Sequence, residues 1–422
     1  MELTNQDYNG ADFGIVPEDW EFVQLNDCLD LLTDYEANGS FESIANNVNI
    51  YDTENFAWFV RATDLENRTK GKDIKYVDKE TYQFLRKTKL FGDEVLITKR
   101  GEIGKVYYFK MRTEFATLAP NLYLLKLNKR VLPFYLYCFF ISPIGVRLLV
   151  EKNASSTLGA LYKDDIKSIS FPLPTKSEQT AIATALSDTD ALIENLEKLI
   201  AKKRNIKQGV MQELLTGKKR LAGFKGKWVT IKIGEVADIH KGNGLSKTKL
   251  KQAGKYGCIL YGELFTTYKR IIKNAISHTD YEEGVYSKAG DILMPGSTTT
   301  TGIDLAIASA VLKDNILLGG DINVIRPKTA SINSIFLAYY ITEVLKHKIL
   351  ELTQGITIIH LYGKDLKTLE IAIPEISEQD AIGKILVDID EELSGLENQM
   401  NKYQLIKQGM MQKLLTGKIR LV

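Results

Sequence analysis

At 422 residues, with 44% hydrophobic and 26% charged side chains, the chain has the composition of a globular protein of two or three domains. Its net charge of only +2 means that any anion-binding surface must be local. The longest apolar run, near 134–144 and broken by Ser142 and Pro143, is too short to span a bilayer. No export signal opens the sequence, and three scattered cysteines (Cys28, Cys138, Cys258) point to a reducing, cytoplasmic setting.

In chain order, residues 1–66 carry fifteen acidic side chains against one basic residue, Arg61, and residues 67–112 reverse the balance with thirteen Lys/Arg against six Asp/Glu. Residues 240–275 hold eight Lys/Arg against one acid, Glu263. One such run is most simply a solvated face. Two, at comparable places in two halves, favour an anion-binding surface. The opening GIVPEDWEFVQLNDCLDLL returns from Gly223 as GFKGKWVTIKIGEVADIH, with Trp228 in the place of Trp20. The neighbours alternate as a strand, so both indoles are expected in a core rather than at a contact surface.

Short, turn-bounded strands follow in both halves. The clearest pair is GDEVLITKRGEIGKVYYF from Gly92 and GDILMPGSTTTTGIDLAI from Gly290. The frame repeats while the loop changes, from Lys99, Arg100, Gly101, Glu102, Gly104 and Lys105 to Gly296, Ser297, Thr298, Thr299, Thr300, Thr301 and Gly302. Loops on a rigid scaffold are where binding chemistry sits. Aromatic and aliphatic helical stretches come next, over 131–153 and 331–352, and are expected to be core. Short loops at 154–157 and 354–357 lead into LYKDDIKSISFPLP and LYGKDLKTLEIAIP.

The repeat is closest in what comes next. Residues 177–221 and 377–421 align without a gap and are identical at 24 of 45 positions. Thr175 with Glu178 has capping-box spacing, Ser177 and Ser377 are alternative N-caps, and Gly217 and Gly417 mark the ends. About 39 residues lie between, or roughly 58 Å of helix. Apolar and lysine positions at alternating steps of three and four, from Ile193 to Leu214 and from Leu393 to Leu414, make a heptad seam, so the two helices are expected to pack antiparallel about a pseudo-twofold axis. The shared helix ends, IKQG and LLTGK, exceed what a seam requires. Lys207, Gln208, Gln212 and their repeats Lys407, Gln408, Gln412 are therefore expected to offer one surface to two copies of one partner.

Catalytic machinery is not expected. The glycine–lysine loops around Gly104 and Gly217 lack P-loop spacing, and no Asn/Asp-Pro-Pro-aromatic methyltransferase signature occurs. The four histidines, His240, His278, His347 and His360, all lie in the second half. Asp93 with Lys99 could suggest a metal nuclease, but Asp291 has no lysine in the matching loop. Two units about a pseudo-twofold axis suit duplex DNA, whose backbone has that symmetry; a coiled-coil adaptor with protein-binding ends, or a stand-alone DNA-modifying enzyme, are the alternatives to such a DNA reader.

A unit that closes on PLP and SEQ, a long helix, LLTGK-RL, and then the whole arrangement again resembles the DNA-specificity subunit of type I restriction–modification systems. The resemblance covers essentially the whole chain. It implies an α+β fold with two α/β target-recognition domains separated by two long antiparallel helices. Domains are then expected over 1–175 and 219–375, with helices over 176–218 and 376–422. It further implies that each domain reads half of a bipartite site on double-stranded DNA, and that the helices set the spacer and carry two methyltransferase subunits. Motor-nuclease subunits join for restriction, and S-adenosylmethionine and ATP with Mg are bound by those partners, with no cofactor or metal on this chain. The family's recognition residues do not transfer one by one. Loop position and chemistry instead nominate Arg61, Lys99, Arg100 and Lys105 in the first domain and Lys269, Ser297, Thr298 and Thr299 in the second.

Overall fold

The computed structural model describes residues 13, 16–66, 73–100, 104–152 and 160–421. The chain divides into two compact units, Met1–Glu197 with Gln399–Val422, and Lys198–Asn398. Two helices of 39 residues, Lys176–Leu214 and Ile376–Leu414, stand where the heptad pattern places them. Each unit therefore holds the start of one long helix and the end of the other.

In the first unit the entry strand Glu21–Gln24 pairs antiparallel with Ser170–Leu173, the strand just before the helix, so the domain is closed where it begins. A four-stranded antiparallel sheet runs in the order Leu29–Asp34, Leu122–Leu127, Val95–Thr98, Val106–Tyr108. A second, five-stranded sheet is mixed, because Ala57–Val60 runs parallel to Ala116–Leu118. The aromatic stretch forms two helices, Pro133–Ile141 and Pro143–Glu151, each with proline in its first turn, where no backbone N–H is needed. Ser142 separates them and accepts from Gly145 N at 3.2 Å as the N-cap of the second. Tyr135, Phe139, Phe140 and Phe171 fill the core against Ile182 and Leu186 of the first long helix and Met411, Leu414 and Leu415 from the end of the second.

The second unit repeats this plan. Val229–Lys232 pairs with Glu370–Ile373, and Phe336, Tyr339 and Ile341 pack on Ile382 and Leu386 and on Met211, Leu214 and Leu215. Two of its sheets have five strands each, one of them ordered Ala237–Lys241, Ile322–Pro327, Ile292–Pro295, Ser309–Val311, Ile271–Ile272, and Ser297–Thr298 pairs separately with Ile359–His360. Trp20 is buried in the first core as expected, whereas Trp228 is half-buried against the second.

The helix junctions are held by a feature not anticipated from the heptads. Glu178 is buried at the start of the first long helix, where Arg420 donates to it from Nε at 2.7 Å and Trp20 Nε1 donates at 2.9 Å. In the second unit Glu378 accepts from Arg220 Nε, also at 2.7 Å. Burial pushes the Glu178 carboxyl up, but the hydrogen bonds from Arg420 and Trp20 outweigh it and hold the group below its ordinary value. Glu178 meets Arg420 and Asp190 meets Lys407 at 2.5 Å, so numbering rises along one segment as it falls along the other, and the pairing is antiparallel. The second unit has the matching pair Lys207–Asp390 at 2.6 Å.

Thr175 caps the first helix, accepting from Glu178 N at 3.4 Å. Ser177 and Ser377 are not caps: both lie inside helices that start at Lys176 and Ile376, because the preceding residue already carries helical geometry. The Glu178 side chain likewise does not reach back to close a capping box, since Arg420 and Trp20 hold it. Gly217 and Gly417 sit just past the helix ends at φ +67° and +72°, the left-handed conformation that glycine adopts without penalty.

Candidate nucleic-acid interface

Part of the basic run of the first domain is met by carboxylates of the acidic run. Lys75 pairs with Asp52, Lys105 with Glu66 at 2.7 Å, and Lys99 with Asp34 and Glu36. Arg61 clamps Asp64 at 2.6 Å and donates to the Asp73 carbonyl, tying down the helix Ala62–Glu66. In the second domain Lys251 meets Asp280, Lys255 meets Glu282, and Lys273 meets Glu391 on the long helix. Net positive charge along the chain is thus a poor guide to free cations, because strand pairing brings acids from a distant segment alongside.

The nominated loop residues separate accordingly. Arg100 is exposed, its backbone bridged to Ala160, and among the described residues its guanidinium has no hydrogen-bonding or ionic partner. Lys105 is half-exposed and shared with Glu66, whose second donor is Tyr107. Lys269 turns toward the long helix, donating to Ser394 Oγ at 3.0 Å. Ser297 and Thr298 are buried, Ser297 donating to Asp321 and Thr298 sharing a hydrogen bond with Thr300, while Thr299 is exposed. Gly101, Glu102, Arg68 and the 154–157 loop lie outside the described residues. On the helices, Gln208, Gln212, Gln408 and Gln412 are exposed, and Lys207 and Lys407 are drawn into ion pairs with Asp390 and Asp190.

Around these loops the two domains share a frame down to single hydrogen bonds. In the first, Lys99 N donates to Asn121 O at 2.8 Å and Leu161 N to Lys99 O at 3.1 Å. In the second, Gly296 N donates to Asp321 O and Leu361 N to Gly296 O at 2.9 Å. The carbonyl of Leu161 accepts from Tyr123 Oη, and that of Leu361 from Asn323 Nδ2, both at 2.9 Å. Tyr123 faces Asp34 across the sheet, and Asn323 faces Lys241. Asn121 and Asp321 both take positive φ, at 71° and 58°. The equivalences that follow are Lys99 with Gly296, Asn121 with Asp321, Asp34 with Lys241, and Lys163 with Gly363.

At these positions sequence reading named Lys99 but missed Asp34 and Lys163 in the first domain and Lys241 and Asp321 in the second. In the first domain Asp34 accepts from Lys163 at 2.8 Å and Lys99 at 2.9 Å, and both ammonium groups lie within 6 Å of the Tyr123 ring centre. Burial pushes the Asp34 carboxyl up, but the two lysines outweigh it and hold it low. In the second domain the signs are exchanged: Lys241 stands on the strand and pairs with Asp321 at 3.0 Å. Burial raises the Asp321 carboxyl and Lys241 lowers it further, so it too is held below its usual range. A cleft of about 740 Å³ opens beside Asp321, lined among others by Lys247, Tyr261 and Glu263. Two signals were available in the sequence, Lys163 against Gly363 in LYKDD and LYGKD, and Lys99 against Gly296 in the changed loop.

Among the described residues no cluster of three or more His, Cys, Asp or Glu side chains is arranged to hold a metal, and no single helix is long and apolar enough to cross a membrane. The three cysteines are buried thiols.

Comparison with known proteins gives a consistent result. The family described as the type I restriction modification DNA specificity domain matches twice, over residues 17–203 and 225–407. A Methanocaldococcus jannaschii protein provisionally named the MjaX specificity subunit of a type I restriction enzyme is 25% identical, covering 98% of this chain and 97% of the relative. The MjaVIII specificity subunit of the same organism is 23% identical over 96% of this chain and 94% of its own length. In fold, the chain is similar to the crystal structure of a type I S subunit from M. genitalium, with a TM-score of 0.60, 16% identity and 98% of each chain covered. It is also similar to a chain from a study of complex assembly in the type I system, with a TM-score of 0.54 and 14% identity, covering 96% of this chain and all of the other.

Proposed function

Because the chain belongs to the type I restriction–modification DNA specificity family, we propose that each globular domain reads one half of a bipartite duplex site while the paired helices fix the gap between the halves. The chain is a specificity subunit, the DNA-recognition and non-catalytic member of such a system. One observation carries the division of labour. The two domains keep the same hydrogen-bonded frame around their loops, and the side chains mounted on it differ. Equal frames suit equal attachment to a common helix pair, and unequal loops suit unequal half-sites.

The nominated DNA contacts remain Arg61, Lys99, Arg100, Lys105, Lys269, Ser297, Thr298 and Thr299, with Arg100 foremost because its guanidinium is exposed. Two methyltransferase subunits would dock on the duplicated helix ends, where exposed Ile206, Gln208 and Gln212 have their repeats in Ile406, Gln408 and Gln412. Motor-nuclease subunits would join for restriction. S-adenosylmethionine and ATP with Mg belong in this reading to the partners, and the assembly works in the cytoplasm, where its DNA and reduced thiols are at home.

The test is a map of methylated bases in cells with and without this chain. A two-part methylated sequence that depends on the chain is expected, and lengthening or shortening both helices by whole turns should change only the unread gap. No chain-dependent methylation would reject the reading. In a gel shift of the complex, phosphate contacts should make affinity fall steeply with salt.

A further inference from the structure

The two domains differ in one respect that a shared ancestry and a shared frame do not explain. The ion pair that holds each helix junction is the same in both, Glu178 with Arg420 and Glu378 with Arg220. The ion pair at the strand ends is exchanged in sign. An acid, Asp34, occupies the strand in the first domain and draws in Lys99 and Lys163. A lysine, Lys241, occupies it in the second and meets Asp321. The two lysine positions of the first domain are glycines in the second. A side chain at Gly363 would meet Ile239 Cγ2 at 2.8 Å, and one at Gly296 would meet the Asp321 carbonyl at 3.0 Å. The second domain therefore leaves little room for a side chain at either position unless a neighbour shifts.

Resting on the DNA-reading function above, we propose that these exchanged clusters touch base edges: Lys241 with Asp321 in the second half-site, and Lys163 in the first. Asp34 is a positioning residue. Its side chain is only 7% exposed and holds both ammonium groups, of which Lys99 is 15% exposed and Lys163 35%, whereas Lys241 is 64% and Asp321 39% exposed. Enclosing a carboxylate with two ammonium groups is costly, and apolar residues of similar volume commonly serve stability as well or better, which is why a role beyond folding fits this cluster. The chemistry sets what each cluster can take. An ammonium donates to the guanine O6 and N7 acceptors in the major groove, and a carboxylate accepts from the cytosine N4 amine. In the first cluster Lys99 is taken up by Asp34 and Glu36, and the more exposed Lys163 presents a donor that fits guanine. The second presents a donor and an acceptor side by side, which fits both members of a G·C pair, and the cleft beside Asp321 gives that edge room to approach.

The experiment uses the full chain assembled with its modification subunits, and reads the methylated sequence in cells carrying Lys241→Met, Asp321→Asn, Lys163→Met or Lys163→Arg. Lys241→Met and Asp321→Asn should each relax the same half-site at one base pair, losing about tenfold to hundredfold discrimination there, with the other half intact. Lys163→Met should relax the opposite half-site. Lys163→Arg keeps the charge on Asp34, so a change of preferred base with that variant separates reading from folding. If the variants leave both halves unchanged, or lower methylation evenly at every site, the proposal is overturned. If the unaltered chain directs no bipartite methylation at all, the DNA-reading function itself has failed, and that outcome is distinct from either.

Discussion

The two helix junctions of this protein do the same job with unequal means. At the first, Arg420 lies between Glu178 and Asp19, and Trp20 adds an indole N–H to the same carboxylate. At the second, Arg220 holds Glu378 and the Gly226 carbonyl, while Trp228 Nε1 is buried with no hydrogen-bond partner among the described residues. Both arginines lie over their indoles, 5.6 Å and 5.9 Å from the ring centre. The part that must be equal, a carboxylate gripping an arginine just past a glycine-ended helix, is kept. The part that only adds strength has drifted.

The sharpest way to separate the junctions is at their glycines. Gly417→Ala places a methyl 2.3 Å from the rigid Pro17 ring at a φ of +72°, and should cost roughly 3 kcal/mol in a denaturant melt. Gly217→Ala meets Trp228 at 3.2 Å, where the indole can give, and should cost about 1–2 kcal/mol. Equal losses would mean that strain in the backbone, not contact with the entry segment, dominates both sites.

The next largest effect concerns the loops. Arg100→Ala should lower discrimination at one half-site by about 1–3 kcal/mol if the guanidinium reads a base. A loss uniform across sequences, with the salt slope of binding reduced by about 1, would make it a phosphate contact instead.

A smaller difference is expected from the carboxylates themselves. With Glu178→Gln, Arg420 keeps Asp19, so the loss should be about 1 kcal/mol. With Glu378→Gln, Arg220 loses its one hydrogen-bonded carboxylate among the described residues, and the loss should reach about 1–2 kcal/mol.

The smallest signal is a pH dependence. The folded Glu178 carboxyl lies below its ordinary value of 4.5, so its contribution is fully present above that pH. It is lost as pH falls through the lowered folded value. Thermal melts of the native chain and of Glu178→Gln should therefore differ at pH 6 and draw together as the pH falls below 4.5 and through the lowered folded value.

Much of this architecture is legible in the sequence because it is written twice. Residues 177–221 against 377–421 give the helices, their length, their glycine ends and their antiparallel seam, since a heptad pattern is a local property that needs no knowledge of what lies opposite. The aromatic stretches from Val131 and Ser331 announce their burial in the same way. What escaped was every feature that depends on which distant residue stands alongside. Glu178 reads as a capping residue until Arg420, 242 positions away, takes its carboxylate. The basic run reads as a free anion-binding face until Lys99 meets Asp34 and Lys105 meets Glu66, 65 and 39 residues off. Helix periodicity is carried by neighbours three and four residues apart, but the partner of a charge at a strand end is set by sheet register and loop closure, and only the tertiary structure decides those.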